Sequence, residues 1–188
     1  MLPNYFECTE SKSNFEKIIL KEFLNKDDIN FLQIGAFKGD ATVWILDTII
    51  ESKERSSLTD VDIWSGDRHH FLLWDIDPRE IESIYDKNTA GYKNLIKVKE
   101  RSEIFLQKKE NKYDFIYVDG DHSNEQTFMD AVLSWEVLKS NGILAFDDYL
   151  YLYSNNENPK KGIDAFLKTI DGEYQVLHKA VQYWIRKL

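Results

Sequence analysis

Residues Tyr113–Tyr149 read YDFIYVDGDHSNEQTFMDAVLSWEVLKSNGILAFDDY. Two short apolar runs, Tyr113–Val118 and Gly142–Phe146, both break off at acids: Asp119-Gly120-Asp121 after the first, Asp147-Asp148 after the second. Between them, Ser123 and Gln126 have the spacing of a capping box, and Phe128, Ala131, Val132 and Trp135 share one helical face. Strand, helix and strand in that order predict a unit whose strands run parallel, because a helix-length crossover is needed to return the chain to the same end of a sheet. Ligands of such sheets bind at the carboxyl ends of the strands. The acids therefore stand where the chemistry is expected.

The same alternation extends outward from this stretch. Asn14–Asn25 sets Phe15, Ile18, Ile19 and Phe23 on one helical face, and Ile29–Ile34 is a short apolar run ending at Gly35. Ala41–Glu51 reads as a helix, and Leu58–Ile63 as a strand with Leu58, Val61 and Ile63 as its apolar positions. Asp77-Pro78-Arg79-Glu80 is a helix start with Asp as cap and Pro at the first helical position. Leu95–Lys99 is a strand and Ser102–Lys109 a short helix; Ile163, Phe166, Leu167 and Ile170 then follow helical spacing. Tyr174–His178 and Val181–Arg186 form a closing hairpin that adds antiparallel edge strands. The expectation is an α/β chain with seven strands, mostly parallel and covered by helices on both faces. Residues 1–188 form one domain, with 1–27 an N-terminal helical segment packed on it.

Composition narrows the function. The 188 residues carry 33 acidic and 24 basic side chains, a net charge of −9, which argues against a nucleic-acid clamp but not against a cationic small ligand. Cys8 is the only cysteine, which excludes an internal disulfide and a Cys-based zinc site. No apolar run has the length of a membrane span and Met1–Glu10 lacks an apolar signal core, so a soluble cytoplasmic protein that avoids membranes is expected. A homo-oligomer is compatible with the sequence.

Three features at the strand ends carry chemistry. In Gln33-Ile34-Gly35-Ala36-Phe37-Lys38-Gly39-Asp40, two glycines four apart let a strand-to-helix turn approach a ligand closely, without forming a dinucleotide fingerprint or a P-loop. Asp62 lies 27 residues past Gly35, where a carboxylate accepts the ribose hydroxyls of a nucleoside cofactor. Asp119, Asp147 and Asp148, at the ends of neighbouring strands, repel one another unless a cation compensates, and an all-oxygen set points to Mg²⁺ or Mn²⁺. His69, His70, Phe71 and Trp74, with Tyr149, Tyr151 and Tyr153, either wall an acceptor pocket or simply pack their loops. His178 reads as structural, and Trp44, Trp135 and Trp184 as core.

On these residues the chain resembles the class I S-adenosylmethionine-dependent methyltransferases, and more narrowly the metal-dependent sugar and catechol O-methyltransferases. Tyr113–Tyr149 is the most specific match; Phe31–Leu46 and Gly162–Leu188 agree in spacing and order. The resemblance implies a Rossmann-like fold and S-adenosylmethionine as cofactor. It places Gly35 and Gly39 along the methionine moiety, Asp62 on the ribose, and Ser102 and Glu103 at the adenine. Asp119, Asp147 and Asp148 match metal-ligand positions, with Asp119 also beside the cofactor. Gln33 stands where the family usually has an acid, and Ala41 where it often has Ser. The implied reaction is methyl transfer to a hydroxyl of a small molecule or sugar. Asp121 is preferred to its neighbour His122 as base, because a metal-bound hydroxyl is already acidified. A metal-independent methyltransferase and a catalytically silent nucleotide-binding module stay open, the latter because of Gln33.

Overall fold

Seven short apolar runs, each bounded by turn residues or a helix, become strands. The computed structural model describes residues 4–65, 77–150 and 159–188. The strands are β1 Asn30–Ile34, β2 Ser57–Asp62, β3 Leu95–Lys99, β4 Tyr113–Val118, β5 Leu138–Phe146, β6 Tyr174–Lys179 and β7 Tyr183–Lys187. They form one sheet in the order β3-β2-β1-β4-β5-β7-β6, parallel from β3 through β5, with β7 antiparallel to both β5 and β6. The chain moves one way from β1 to β3 and then returns to lay β4 on the other side of β1. The carboxyl ends of β1 and β4 therefore flank the switch point where ligands bind in such sheets.

The helices are α1 Tyr5–Cys8, α2 Glu10–Asn14, α3 Lys21–Phe23, α4 Asp40–Ile45, α5 Pro78–Asn88, α6 Ser102–Gln107, α7 Asn124–Val137 and α8 Pro159–Thr169, with π-helical turns at Phe15–Leu20 and Leu46–Ile50. On one face of the sheet, Leu32, Ile34, Ile116, Leu144 and Phe146 pack against Leu106, Trp135, Ile163 and Phe166 of α6, α7 and α8. On the other, Phe31, Leu58, Phe115 and Tyr117 pack against Phe15, Ile19, Ile45 and Ile49. Phe15 is fully buried and meets Phe115, Tyr117 and Trp184 edge-on, at centroid distances of 5.6, 5.1 and 5.3 Å. Edge-to-face contacts of this kind exceed plain area burial by ~1 kcal/mol each. The N-terminal segment is thus part of the core. No helix among the described residues is long and apolar enough to cross a membrane.

The C-terminal hairpin takes one edge of the sheet as expected, with β7, which carries the fully buried Trp184 and Ile185, between β5 and the outermost β6. Two expectations shift. The first long helix begins at Glu10, where Thr9 Oγ1 accepts from the Ser11 amide, four residues before the expected start at Asn14. β2 ends at Asp62, which leaves Ile63 exposed beyond it, while Asp60, counted among the polar intervals, is fully buried. The Asp77 cap of α5 is present, its Oδ1 accepting from the Arg79 amide at 2.9 Å. His178 reaches Glu10 at 3.4 Å, and Trp135 and Trp184 are buried. Residues His69, His70, Phe71, Trp74, Tyr151 and Tyr153 lie outside the described residues.

Gly35 is the tightest point. A Cβ built there would lie 1.9 Å from the Asp119 carbonyl oxygen, and its φ of +82° is left-handed. Gly35→Ala is expected to cost at least ~4 kcal/mol or to abolish folding. Gly172→Ala, equally left-handed but open to solvent, is expected to cost about 1 kcal/mol. Denaturant midpoints of the two variants check this, and equal losses would remove the β1–β4 contact from its central place.

Candidate functional site

The first wall of the site is the turn from β1 into α4. It passes through Gly35, Phe37 and Gly39, all with positive φ; the Gly35 amide still donates to the Val61 carbonyl, and the chain leaves the strand ladder after it. Asp62, at the end of β2, gathers these amides: Oδ2 accepts from Ala36 N at 2.8 Å and Phe37 N at 2.9 Å, and Oδ1 accepts from Trp64 N at 2.7 Å. Trp64 Nε1 in turn donates to the Phe37 carbonyl at 3.0 Å. The two rim loops are thereby tied together. Both lone pairs of Oδ2 are engaged, which leaves one on Oδ1 for a further donor. Gln33 is buried beneath the turn, where its Nε2 donates to the Gly35 carbonyl at 3.1 Å.

The second wall begins after β3. Ser102 Oγ donates to Asp130 Oδ1 at 2.6 Å, and Glu103 pairs with Arg101. Gln126 Nε2 reaches Asp130 Oδ1 at 3.0 Å, and Ser102 Oγ and Glu103 Oε2 at 3.2 Å each. The capping box is therefore half formed. Ser123 Oγ accepts from the Gln126 amide, but the Gln126 side chain turns to Asp130, and the Ser123 amide is met by Asp121 instead. Burial pushes the Asp130 carboxyl up to about 6, against the hydrogen bonds from Ser102 and Gln126 that favour the charged form. Asp130 Oδ2 has no hydrogen-bond partner among the described residues.

The third wall is the pair of acid-ended strands β4 and β5. His122 Nε2 lies 3.2 Å from Asp148 Oδ2 and 3.7 Å from Asp119 Oδ1. One ligand atom from each of these three residues falls within 4.8 Å of the others, close enough together to hold a cation. Burial opposes the charged imidazolium, yet the two carboxylates outweigh it and raise His122 to about 10. Burial and the neighbouring Asp147 raise Asp119 well above the ordinary carboxylate range.

Asp147 faces the other way. Its Oδ2 accepts from Tyr117 Oη at 2.6 Å, and its Oδ1 accepts from Gln182 Nε2 at 2.9 Å and from the Asp148 amide at 3.0 Å. That last bond accompanies a left-handed Asp148, φ +55°, which turns the two adjacent carboxylates apart. Gln182 is fully buried and also bonds Ser11, Asn14 and Trp184, joining α2 to the floor of the rim. Asp121 is exposed and serves as an Asx-type cap on the Ser123 amide at 2.7 Å.

The sequence-derived set is thus divided. Gly35, Gly39, Asp62, Asp119 and Asp148 line one rim with His122. Gln33 lies under it, Ser102 and Glu103 bond to neighbours at its side, Asp147 points into the core, and Asp121 caps a helix. Asp60, Trp64, Tyr85, Gln126, Asp130 and Gln182 were not singled out. Only Gln126 carried a local signal, its capping spacing, and that signal pointed to a different partner.

A methyltransferase domain family profile matches residues 32–149. Similar solved structures include a proposed rRNA methylase from Clostridium thermocellum, 15% identical, TM-score 0.68, covering 94% of this chain and 97% of that one. A proposed O-methyltransferase from Klebsiella pneumoniae is 12% identical with TM-score 0.67 over 100% and 83% of the two chains. An O-methyltransferase from Bacillus cereus in complex with SAH is 14% identical with TM-score 0.61 over 96% and 81%. At these identities the likeness is one of fold. No curated protein matches the sequence significantly.

Asp130 supplies a test of the second wall. A carboxyl raised from about 3.9 in the unfolded chain to about 6 in the fold stabilises fully below pH ~4, and that contribution is lost as pH rises through 6. Asp130→Asn keeps the acceptor for Ser102 and Gln126 and has no charge to bury. It is expected to exceed the wild type by about 1–3 kcal/mol at pH 7.5 and to show no gain at pH 4, read from urea unfolding at both pH values. A gain of equal size at pH 4 would assign the effect to packing.

Proposed function

The chain belongs to the methyltransferase domain family, and from that membership we propose that it moves a methyl group from S-adenosylmethionine to a hydroxyl oxygen of a small molecule. The observation that carries the reading is His122, held between Asp119 and Asp148 directly beside the glycine turn. A proton acceptor next to a cofactor turn at the switch point is what transfer to a hydroxyl requires.

The residues fit such a cofactor by the chemistry of their donors. Gly35 and Gly39 leave the turn free of side chains, Asp62 keeps one lone pair for a ribose hydroxyl, and Ser102, Glu103 and Gln126 offer polar atoms for a purine edge. The carboxylates of Asp119 and Asp148 suit a positively charged ligand. When bound, S-adenosylmethionine supplies a methyl group already activated by its sulfonium. The protein's part is to orient the acceptor and take its proton. Neutral His122 is the form that accepts a proton at Nε2, and positive charge arriving at the carboxylates favours that form by competing for them. Asp121, directed at the Ser123 amide, is a helix cap in this reading.

Asp119 and Asp148 also fit Mg²⁺ or Mn²⁺, with Asp147 hydrogen-bonded behind them and His122 a third ligand only where its Nε2 is not the base. Such an ion would acidify an acceptor hydroxyl. A metal-independent enzyme is the second reading, favoured by one observation: the His122 imidazolium itself compensates the carboxylates. A small molecule or sugar is preferred to RNA as acceptor because the chain carries a net charge of −9.

Calorimetry is expected to give saturable binding of S-adenosylhomocysteine, and labelled cofactor to methylate members of a panel of hydroxylated small molecules. His122→Ala is expected to lower the single-turnover rate by ~10²–10⁴-fold with cofactor affinity kept, and Asp121→Asn to stay near wild type. The reverse pattern would return the base to Asp121. Activity surviving excess chelator selects the metal-independent reading, and transfer to RNA alone would overturn the acceptor class.

A further inference from the structure

Beneath the glycine turn lies a second acid that the reading above does not use. Asp60 is fully buried on β2, and its Oδ2 accepts from Thr42 Oγ1 at 2.6 Å and Tyr85 Oη at 2.8 Å. Its other oxygen, Oδ1, is buried with no hydrogen-bond partner among the described residues. Gln33, its register neighbour on parallel β1, has the matching defect: Nε2 is bonded to the Gly35 carbonyl, and Oε1 is buried without a partner among the described residues. Register neighbours in adjacent strands leave the same face of a sheet about 5 Å apart. Two acceptor atoms without donors thus sit on adjoining side chains, a costly arrangement where water is excluded.

We infer that Asp60 is a carboxylic acid whose Oδ1–H donates to Gln33 Oε1, and that this one proton positions the cofactor turn. A single hydrogen bond then satisfies both atoms. Burial independently pushes the Asp60 carboxyl up to about 7, against the hydrogen bonds from Thr42 and Tyr85, with Asp62 adding to the rise. Asp60 grips the turn at three places. Thr42 belongs to the first turns of α4, the Tyr85 ring lies where a Cβ on Gly39 would come within 3.2 Å, and Gln33 carries the link to the Gly35 carbonyl. Ionised Asp60 would present an anion to Gln33 Oε1. The amide would then turn its NH₂ toward Asp60 and release Gly35.

The surrounding charges are already engaged. Asp62 is held by three amides, and Lys38 pairs with Asp40 at 3.0 Å ahead of α4. Lys97, the register neighbour of Asp60 on β3, reaches past the Trp64 and Tyr85 rings to Glu82 and Asp86 of α5. Asp60 is a positioning residue in this account, and the inference rests on the cofactor reading for its binding test alone.

The test is S-adenosylhomocysteine affinity by calorimetry from pH 5.5 to 8.5, with the Asp60 carboxyl followed by ¹³C NMR in ligand-free protein. Measured against Asp60→Asn, wild-type affinity is expected to be constant below about pH 7 and to weaken above it, by up to about tenfold per pH unit, the limit set by one proton. Asp60→Asn donates permanently to Gln33 and accepts from Thr42 and Tyr85, so relative to wild type it removes the fall. Comparison of the two proteins cancels the ligand's own amino group. Asp60→Ala is expected to bind more weakly at every pH. An Asp60 resonance titrating near pH 4, or an unchanged fall in Asp60→Asn, would overturn the inference. Absence of binding by wild type at every pH would overturn the cofactor reading instead, and the NMR titration would still decide where the proton is.

Discussion

The contact between the Gly35 backbone and the Asp119 carbonyl brings the two halves of the sheet together where the chain changes direction. The strand ladder continues past the apolar runs here. Asp119 N donates to the Ile34 carbonyl at 2.8 Å, Gly35 N to Val61 at 2.9 Å, and Asp147 N to Val118 at 3.0 Å. Each residue that follows a strand is therefore fixed by its neighbour before its side chain is directed anywhere. Because no Cβ separates β1 from β4, the glycine turn and the His122 cluster share one rim, and a cofactor on the first would meet the proposed proton acceptor on the second.

Around that contact, polar groups are buried in connected sets. Gln182 links Ser11 and Asn14 of α2 to Tyr117 and Asp147, so the N-terminal segment holds the floor of the acid rim. Asp62 and Trp64 lace the β2 rim to the glycine turn from above, while Gln33 and Asp60 support it from below. In a low-dielectric interior such sets are costly when incomplete and rigid when complete. Among the described residues five buried side-chain atoms lack a hydrogen-bond partner: those of Gln33, Asp60 and Asp130 lie under or beside the site, and those of Asn124 and Ser134 lie on α7.

The electrostatics follow the same division. Asp119 and Asp148 face the rim and are balanced by His122, whereas Asp147, one residue away, is satisfied by Tyr117 and Gln182. Two adjacent acids with opposite directions thus have different work. One belongs to the site, the other fixes the backbone that presents it.

Much of this fold is legible in the amino-acid order alone. Alternating short apolar runs and helical periodicities define the elements, Asp77-Pro78 marks a helix start, and the acids after β4 and β5 mark the functional end of the sheet. The directions of the side chains are not legible there. Strands buried on both faces lose the period-two signal, so Asp60 looks like any polar interval, and Gln182, in a turn, looks like solvent-facing chain. Whether Asp147 or Asp148 faces the rim depends on a left-handed φ at Asp148, and the choice between Asp121 and His122 depends on which of them caps α7. Local sequence determined where chain elements begin and where their acids fall. Tertiary structure decided which acids meet, because register, backbone dihedrals and the excluded Cβ at Gly35 are set by contacts between segments far apart in the chain.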